Sequence, residues 1–162
     1  MRPTAFLDRD GTINVKAPEG DYVKSWDEFV FLPGAERAVR LLADAGWRVV
    51  VVTNQRGVAL ERMTIAEVDE IHRRMREAVP IDAVYVCPHE RDACDCRKPG
   101  TGLFCQAMRD DPAIDPASSV VIGDAESDML AGEAFGARAI RVGPPPLPSL
   151  LDAATRLVSS AG

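Results

Sequence analysis

The sequence predicts a three-layer α/β fold, a parallel sheet with helices on both faces. Three observations predict it. Short apolar runs alternate with longer segments of helical periodicity. One of the runs, Val49-Val50-Val51-Val52, is continuous and β-branched, as in a strand buried on both sides. Polar residues gather just after the runs, at the carboxyl ends of strands, where such sheets bind their ligands.

Residues 4–8 (Thr-Ala-Phe-Leu-Asp) read as the first strand. Ala35, Val39, Leu42 and Ala43 mark one face of a helix over 34–45, and Gly46 stands just past it, where a left-handed residue is often needed. The second strand covers 48–53. Ile65, Val68, Ile71 and Met75 give 64–78 a helical pattern, and Thr64 with Glu67 forms a capping-box pattern at its start. A weaker strand at 82–86 precedes a helix over 101–110. Strand 119–123, helix 126–135 with Gly136 after it, and strand 137–142 complete the alternation. Gly143-Pro144-Pro145-Pro146 then leads to a last apolar-periodic segment, 147–159, which should dock as a C-terminal helix. No internal repeat or low-complexity tract interrupts this order.

The 162 residues fit one domain, 1–162. Nineteen basic against 25 acidic residues leave a net charge of −6, which argues against a general nucleic-acid binder. No apolar run approaches the roughly 20 residues that span a bilayer, and the N-terminus lacks a signal-peptide layout. The expectation is a cytoplasmic protein with no membrane or nucleic-acid partner, monomeric by default.

Two carboxylates, Asp8 and Asp10, stand two residues apart at the end of the first strand, followed by Gly11 and Thr12. If the chain stays extended, both point one way. Such a pair repels itself and wants a cation, and oxygen ligands without histidine suit Mg²⁺. An ionised Asp can also attack phosphorus while a second handles protons. In isolation this would be a solvated acidic turn, but three more segments complete a set. Thr53 and Asn54 follow the second strand, where a hydroxyl and backbone N–H groups can hold phosphoryl oxygens, or simply form a turn. Lys98 stands out because the chain has 16 Arg and only three Lys, and a compact ammonium can lie between a carboxylate and a phosphate. Asp124 lies just beyond the fourth apolar run, placed to complete a Mg²⁺ site. Asp128, one turn later, could ligate, hold Lys98 or the loop backbone, or be an ordinary charge at a helix N-terminus.

All four cysteines lie within 87–105. Cys87, His89, Cys94 and Cys96 read C-x-H-x4-C-x-C, a donor set for a closed tetrahedral Zn²⁺ site of structural role. The cluster ends beside Arg97-Lys98, so a metal there would fix the loop that carries the lysine. Cys105, inside a helical segment, reads as a small buried hydrophobe. His72, mid-helix, reads as structural or exposed.

The motifs Asp8-Arg9-Asp10-Gly11-Thr12, Thr53-Asn54, Lys98 and Gly123-Asp124 with Asp128 occur in an order that resembles the haloacid dehalogenase (HAD) phosphatase superfamily, over residues 8–128. The resemblance implies a Rossmann-like fold and phosphomonoester hydrolysis through an aspartyl-phosphate. Asp8 would be the nucleophile, and Asp10 would protonate the leaving alkoxide and then deprotonate water. Thr53 and Lys98 would steady the phosphoryl group. Mg²⁺ would sit on Asp8, Asp124 and the backbone carbonyl of Asp10.

The Cys-Pro-His loop narrows the resemblance to the branch holding heptose bisphosphate phosphatases and histidinol-phosphate phosphatases. Ile13-Asn14, Tyr22-Val23 and Phe29-Val30-Phe31 look closer to the heptose type. The short stretch between His89 and Cys94 looks closer to the histidinol-phosphate type, and Ala125 stands where heptose enzymes often carry Lys.

Only 42 residues separate Asp10 from Thr53 and 44 separate Thr53 from Lys98, which leaves no room for a cap domain. Specificity must therefore come from loops 14–31, 55–63 and 87–98. Gln55 joins Asn54 as a candidate substrate contact. Lys16, Arg56 and Arg97 adjoin the motifs and could take the second phosphate of a sugar bisphosphate. Glu19, Asp21 or Glu90 could instead take the amine of histidinol phosphate. The arginines tip the expectation toward the small anionic sugar phosphate; a non-catalytic zinc-stabilised binding module is the reading from another class.

Overall fold

A computed structural model describes residues 2–161. Five parallel strands, β1 (Thr4–Leu7), β2 (Arg48–Asn54), β3 (Ala83–Cys87), β4 (Val120–Gly123) and β5 (Arg138–Arg141), form one sheet in the order β3-β2-β1-β4-β5. Five α-helices accompany them: α1 (Ala35–Asp44), α2 (Ile65–Ala78), α3 (Gly102–Asp110), α4 (Glu126–Phe135) and α5 (Leu150–Ser160). Every expected strand and helix is present, with ends shifted by a few residues at most.

The central strands are buried on both faces because both faces carry helices. Ala5 and Leu7 of β1 join Val49 and Val51 of β2 in a core closed by α1, α2 and α5. The alternate residues Phe6, Val50, Val52 and Val121 form a second core against α3 and α4. The register sets Phe6 beside Val50 on one side and Val121 on the other. Its ring meets Phe104 and Phe135 edge-on, with centroids 5.0 and 5.7 Å apart. Truncating such a side chain to Ala costs about 3–5 kcal/mol, so β1 is anchored two residues before Asp8.

The chain ends its helices as expected. Gly46 and Gly136 are left-handed, with φ of 89° and 91°. Thr64 accepts from the Glu67 amide at 3.1 Å while the Glu67 carboxylate accepts from the Thr64 amide at 2.8 Å, completing the capping box of α2. Cys105 departs from expectation: it is half-buried on α3, its Sγ 3.8 Å from Thr101 Oγ1, because α3 turns only Leu103, Phe104 and Ala107 into the core.

Strands β1 and β4 are neighbours in the sheet, but the chain leaves β1 toward β2 and returns to β4 only after β3. Crossovers on the two sides of that pair run to opposite faces, which opens a crevice at the carboxyl ends of β1 and β4. The polar motifs meet there.

Candidate active site

Asp8 follows β1 and is 9% exposed. Its amide donates to the Ile122 carbonyl of β4 at 3.0 Å, which extends the ladder and fixes the carboxylate beside Asp124. Lys98, 3% exposed, donates to Asp8 Oδ1 at 2.8 Å, to Asp128 Oδ1 at 2.5 Å and to the Val52 carbonyl at 2.9 Å. All three ammonium protons are thus committed. Burial opposes the charge on Lys98, but Asp8 and Asp128 outweigh it and push its pKa up.

Asp128 is fully engaged, since its Oδ2 accepts from the Ala125 amide at 3.1 Å. Of the alternatives open to it, it holds both Lys98 and the loop backbone. Asp124 is different. Its Oδ2 pairs with Lys16 Nζ at 2.7 Å, and its Oδ1 is buried without a partner. Gly11 keeps the two loops this close: its φ is +86°, and a Cβ there would collide with the Asp124 carboxylate and Lys16. Burial first, with repulsion from Asp128 and Asp10, outweighs Lys98 and raises the Asp8 pKa; burial, with repulsion from Asp8, outweighs Lys16 and raises that of Asp124. Oxygens of Asp8, Asp124 and Asp128 lie within 4.8 Å of one another, a grouping that can hold a cation. Because Asp128 is taken by Lys98 and the backbone, Asp8 and Asp124 are the carboxylates with capacity for one.

Asp10 is not part of that group. Its Oδ1 accepts from Arg9 Nη2 at 2.8 Å, Arg9 Nε at 3.3 Å and Asn14 Nδ2 at 2.9 Å, and its Oδ2 accepts from Gln55 Nε2 at 2.9 Å. The extended chain on which the shared direction depended is not found: the backbone bends at Arg9, and the Asp10 carboxylate is bonded to Arg9, Asn14 and Gln55. Burial raises the Asp10 pKa, but the charge of Arg9 and the bonds from Asn14, Arg9 and Gln55 prevail and lower it.

Two further sequence candidates turn out to support their neighbours. Asn54 donates to the Lys98 carbonyl at 3.2 Å and accepts from the Lys98 amide at 3.1 Å, so its side chain clamps the lysine loop. Gln55 is buried and also donates to Thr53 Oγ1 at 2.9 Å. Arg56 forms a two-pronged pair with Glu90, through Nε to Oε1 and through Nη2 to Oε2, the latter at 3.0 Å. Arg97 is half-buried, with Nη1 unpartnered. A cleft of about 510 Å³ opens between them, lined by Asp10, Lys16, Tyr22, Arg56, Arg91 and Arg97 among others.

Sequence reasoning gave no site role to Arg9 or Asn14 and read His72 as structural or exposed. Arg9 is the largest fully buried side chain, under the Phe29 ring at 5.8 Å, and its Nη1 lies 3.0 Å from His72 Nε2. The only signal for it was an arginine set between two carboxylates. His72 is buried, as the structural alternative had it.

The Cys/His loop brings its four donors together. Neighbouring donor atoms stand 3.2–3.5 Å apart, and all lie within 4.8 Å of one another. A tetrahedron with metal–sulfur bonds near 2.3 Å has edges of about 3.8 Å, so the grouping suits a single small ion. Burial raises the Cys94 thiol, yet bonds from Cys96, Cys87 and the loop backbone bring it down to about 6, while burial pushes Cys87 and Cys96 up, so one thiolate is favoured in the bare cluster.

The family model described as polynucleotide kinase 3 phosphatase matches residues 3–137. A Mycobacterium bovis protein named D-glycero-alpha-D-manno-heptose-1,7-bisphosphate 7-phosphatase is 45% identical over 130 residues, 76% of this chain and 68% of the relative. The chain belongs to the HAD-superfamily phosphatases. Within this family, an Escherichia coli D-glycero-beta-D-manno-heptose-1,7-bisphosphate 7-phosphatase is 38% identical over 174 residues, covering 98% of this chain and 89% of the relative. The crystal structure of a D,D-heptose 1,7-bisphosphate phosphatase from B. bronchiseptica, complexed with magnesium and phosphate, superposes with a TM-score of 0.88 at 30% identity and 99% coverage of both chains. No helix among the described residues is long and apolar enough to cross a membrane.

Proposed function

We propose that this phosphatase removes the 7-phosphate of a D-glycero-D-manno-heptose 1,7-bisphosphate through a phosphorylated Asp8. The observation that carries the reading is the Asp8 carboxylate, held by Lys98 beside the open oxygen of Asp124. An Asp8 oxygen attacks phosphorus, the bond from phosphorus to the sugar oxygen breaks, and Asp10 delivers a proton to the departing oxygen. Water then attacks the aspartyl-phosphate, Asp10 takes the proton back, and phosphate leaves. In the resting site Asp10 is a carboxylate; a phosphate dianion arriving beside it favours the protonated form. Lys98 balances charge on Asp8, and the Thr53 hydroxyl with the N–H groups after it receives the phosphoryl oxygens.

Asp8, Asp124 and the Asp10 carbonyl would hold Mg²⁺, which would offset the charge of the two anions that must meet. Cys87, His89, Cys94 and Cys96 would hold Zn²⁺ as a brace for the loop that ends in Arg97 and Lys98. The second phosphate of the sugar fits the arginines of the cleft, with Arg97 offering its unpartnered N–H and Arg56 exchanging Glu90 for the phosphate.

The test is Mg²⁺-dependent phosphate release from both anomers of the heptose bisphosphate and from histidinol phosphate. A large preference for either heptose anomer is expected, and the better anomer names the substrate. A preference for histidinol phosphate, or silence on all three, would overturn the assignment.

A further inference from the structure

We infer that His72 is a positioning residue for Asp10, acting through the buried guanidinium of Arg9. The inference rests on Asp10 as the proton donor of the proposed reaction. Arg9 has no exposed surface, so water cannot satisfy its N–H groups. A guanidinium donates and never accepts. His72 Nε2 at 3.0 Å from Nη1 must therefore be the acceptor, which leaves the ring proton on Nδ1. Burial, then the charge of Arg9, hold the His72 pKa at about 3, so the ring stays neutral and acts as a fixed acceptor.

With Nη1 tied to α2 and the guanidinium under the Phe29 ring, Nε and Nη2 have one orientation left, and both meet Asp10 Oδ1. Asn14 adds a third bond to the same oxygen, whereas Oδ2 receives one bond, from Gln55. Oδ1 is saturated, and Oδ2 is the oxygen left to carry the proton. Without an acceptor at position 72, Arg9 Nη1 would lose its partner in a dry site, a loss large enough to pull the guanidinium, and Asp10 with it, out of line.

A residue that acts through the proton donor has a signature that general destabilisation lacks. An alkoxide cannot leave without a proton, whereas p-nitrophenolate can. Single-turnover rates of transfer to Asp8 from the heptose bisphosphate and from p-nitrophenyl phosphate separate the two roles. For His72→Leu the sugar-phosphate rate should fall about tenfold with KM unchanged, and the p-nitrophenyl phosphate rate should stay within about threefold. His72→Gln, which restores an acceptor, should recover most of the loss. Equal losses on both esters, a full sugar-phosphate rate in folded His72→Leu, or a glutamine variant no better than leucine would overturn the inference. In the wild type, nitrogen NMR should find neutral His72 with its proton on Nδ1 from pH 8 to 5; a proton on Nε2 would overturn it without any variant. A wild type silent on both esters would overturn the phosphatase reading, and this inference with it; activity without discrimination between the esters overturns this inference alone.

Discussion

The Cys/His loop draws its four donors from residues 87–96, whereas the carboxylate site draws Asp8, Thr53, Lys98 and Asp124 from the ends of separate strands and from the loop beyond β3. In the loop, one short stretch of chain has only to curl on itself, which costs little closure entropy. The carboxylate site requires β1, β2 and β4 to pair in register before any two of its members meet. The chemistry differs as well. The thiols and imidazole meet without counter-charges of their own, while the carboxylates are interleaved with Lys98 and Lys16 and keep one buried oxygen, Asp124 Oδ1, free. A distributed site inherits the rigidity of the sheet, and a local one depends on whatever ties its loop down.

The sharpest way to break this comparison is at Asp8. Asp8→Asn should lower kcat by about 10⁴-fold while leaving the melting temperature unchanged or higher, because burial and repulsion already disfavour the charge there. Retained turnover would remove Asp8 from the chemistry. Lys98→Met should lower activity and also destabilise the fold by about 3–5 kcal/mol, since Asp8 and Asp128 would face each other without their shared cation. Denaturant titration measures that loss, and a value near zero would mean the sheet, not the lysine, holds the carboxylates together.

The loop is tested by metal content and chelation. Purified protein should carry about one zinc per chain, and removing it should lower the melting temperature by about 10 °C. Cys96→Ser should do the same. A metal-free protein of equal stability would show that chain contacts alone secure the loop.

The smallest effect expected is on pH stability. Folding depresses the His72 pKa from 6.5 to about 3, through burial first and Arg9 second, against a weaker opposing pull from Asp10. The unfolded chain therefore binds a proton below pH 6.5 that the folded chain refuses. This group's contribution falls as pH drops through that window, by at most about 1.4 kcal/mol per unit. Denaturation at pH 7 and pH 5 should show a steeper loss for wild type than for His72→Gln.

Both sites were legible to different depths for the same reason. The zinc-type spacing could be read directly, because residues within a ten-residue stretch are neighbours whatever the fold. The carboxylate motifs could be read as a set only because each follows an apolar run, and strand ends of one parallel sheet share an edge. What stayed hidden was the support. Nothing in the sequence said that Asn54 and Gln55 face Lys98 and Asp10, that Arg56 pairs with Glu90 34 residues away, or that Arg9 reaches His72 63 residues away.

The sequence by itself determined the alternation of strands and helices, the caps at Thr64, Gly46 and Gly136, and the chemical character of both centres, because these depend on periodicity, local backbone freedom and residue type. Tertiary structure alone decided which carboxylates face a cation and which faces an arginine, and that Asp128 serves Lys98. It also decided that a histidine on α2 bears on a residue after β1. Side-chain partners are set by strand order and helix placement, and a buried donor takes whichever acceptor the packing brings within 3 Å.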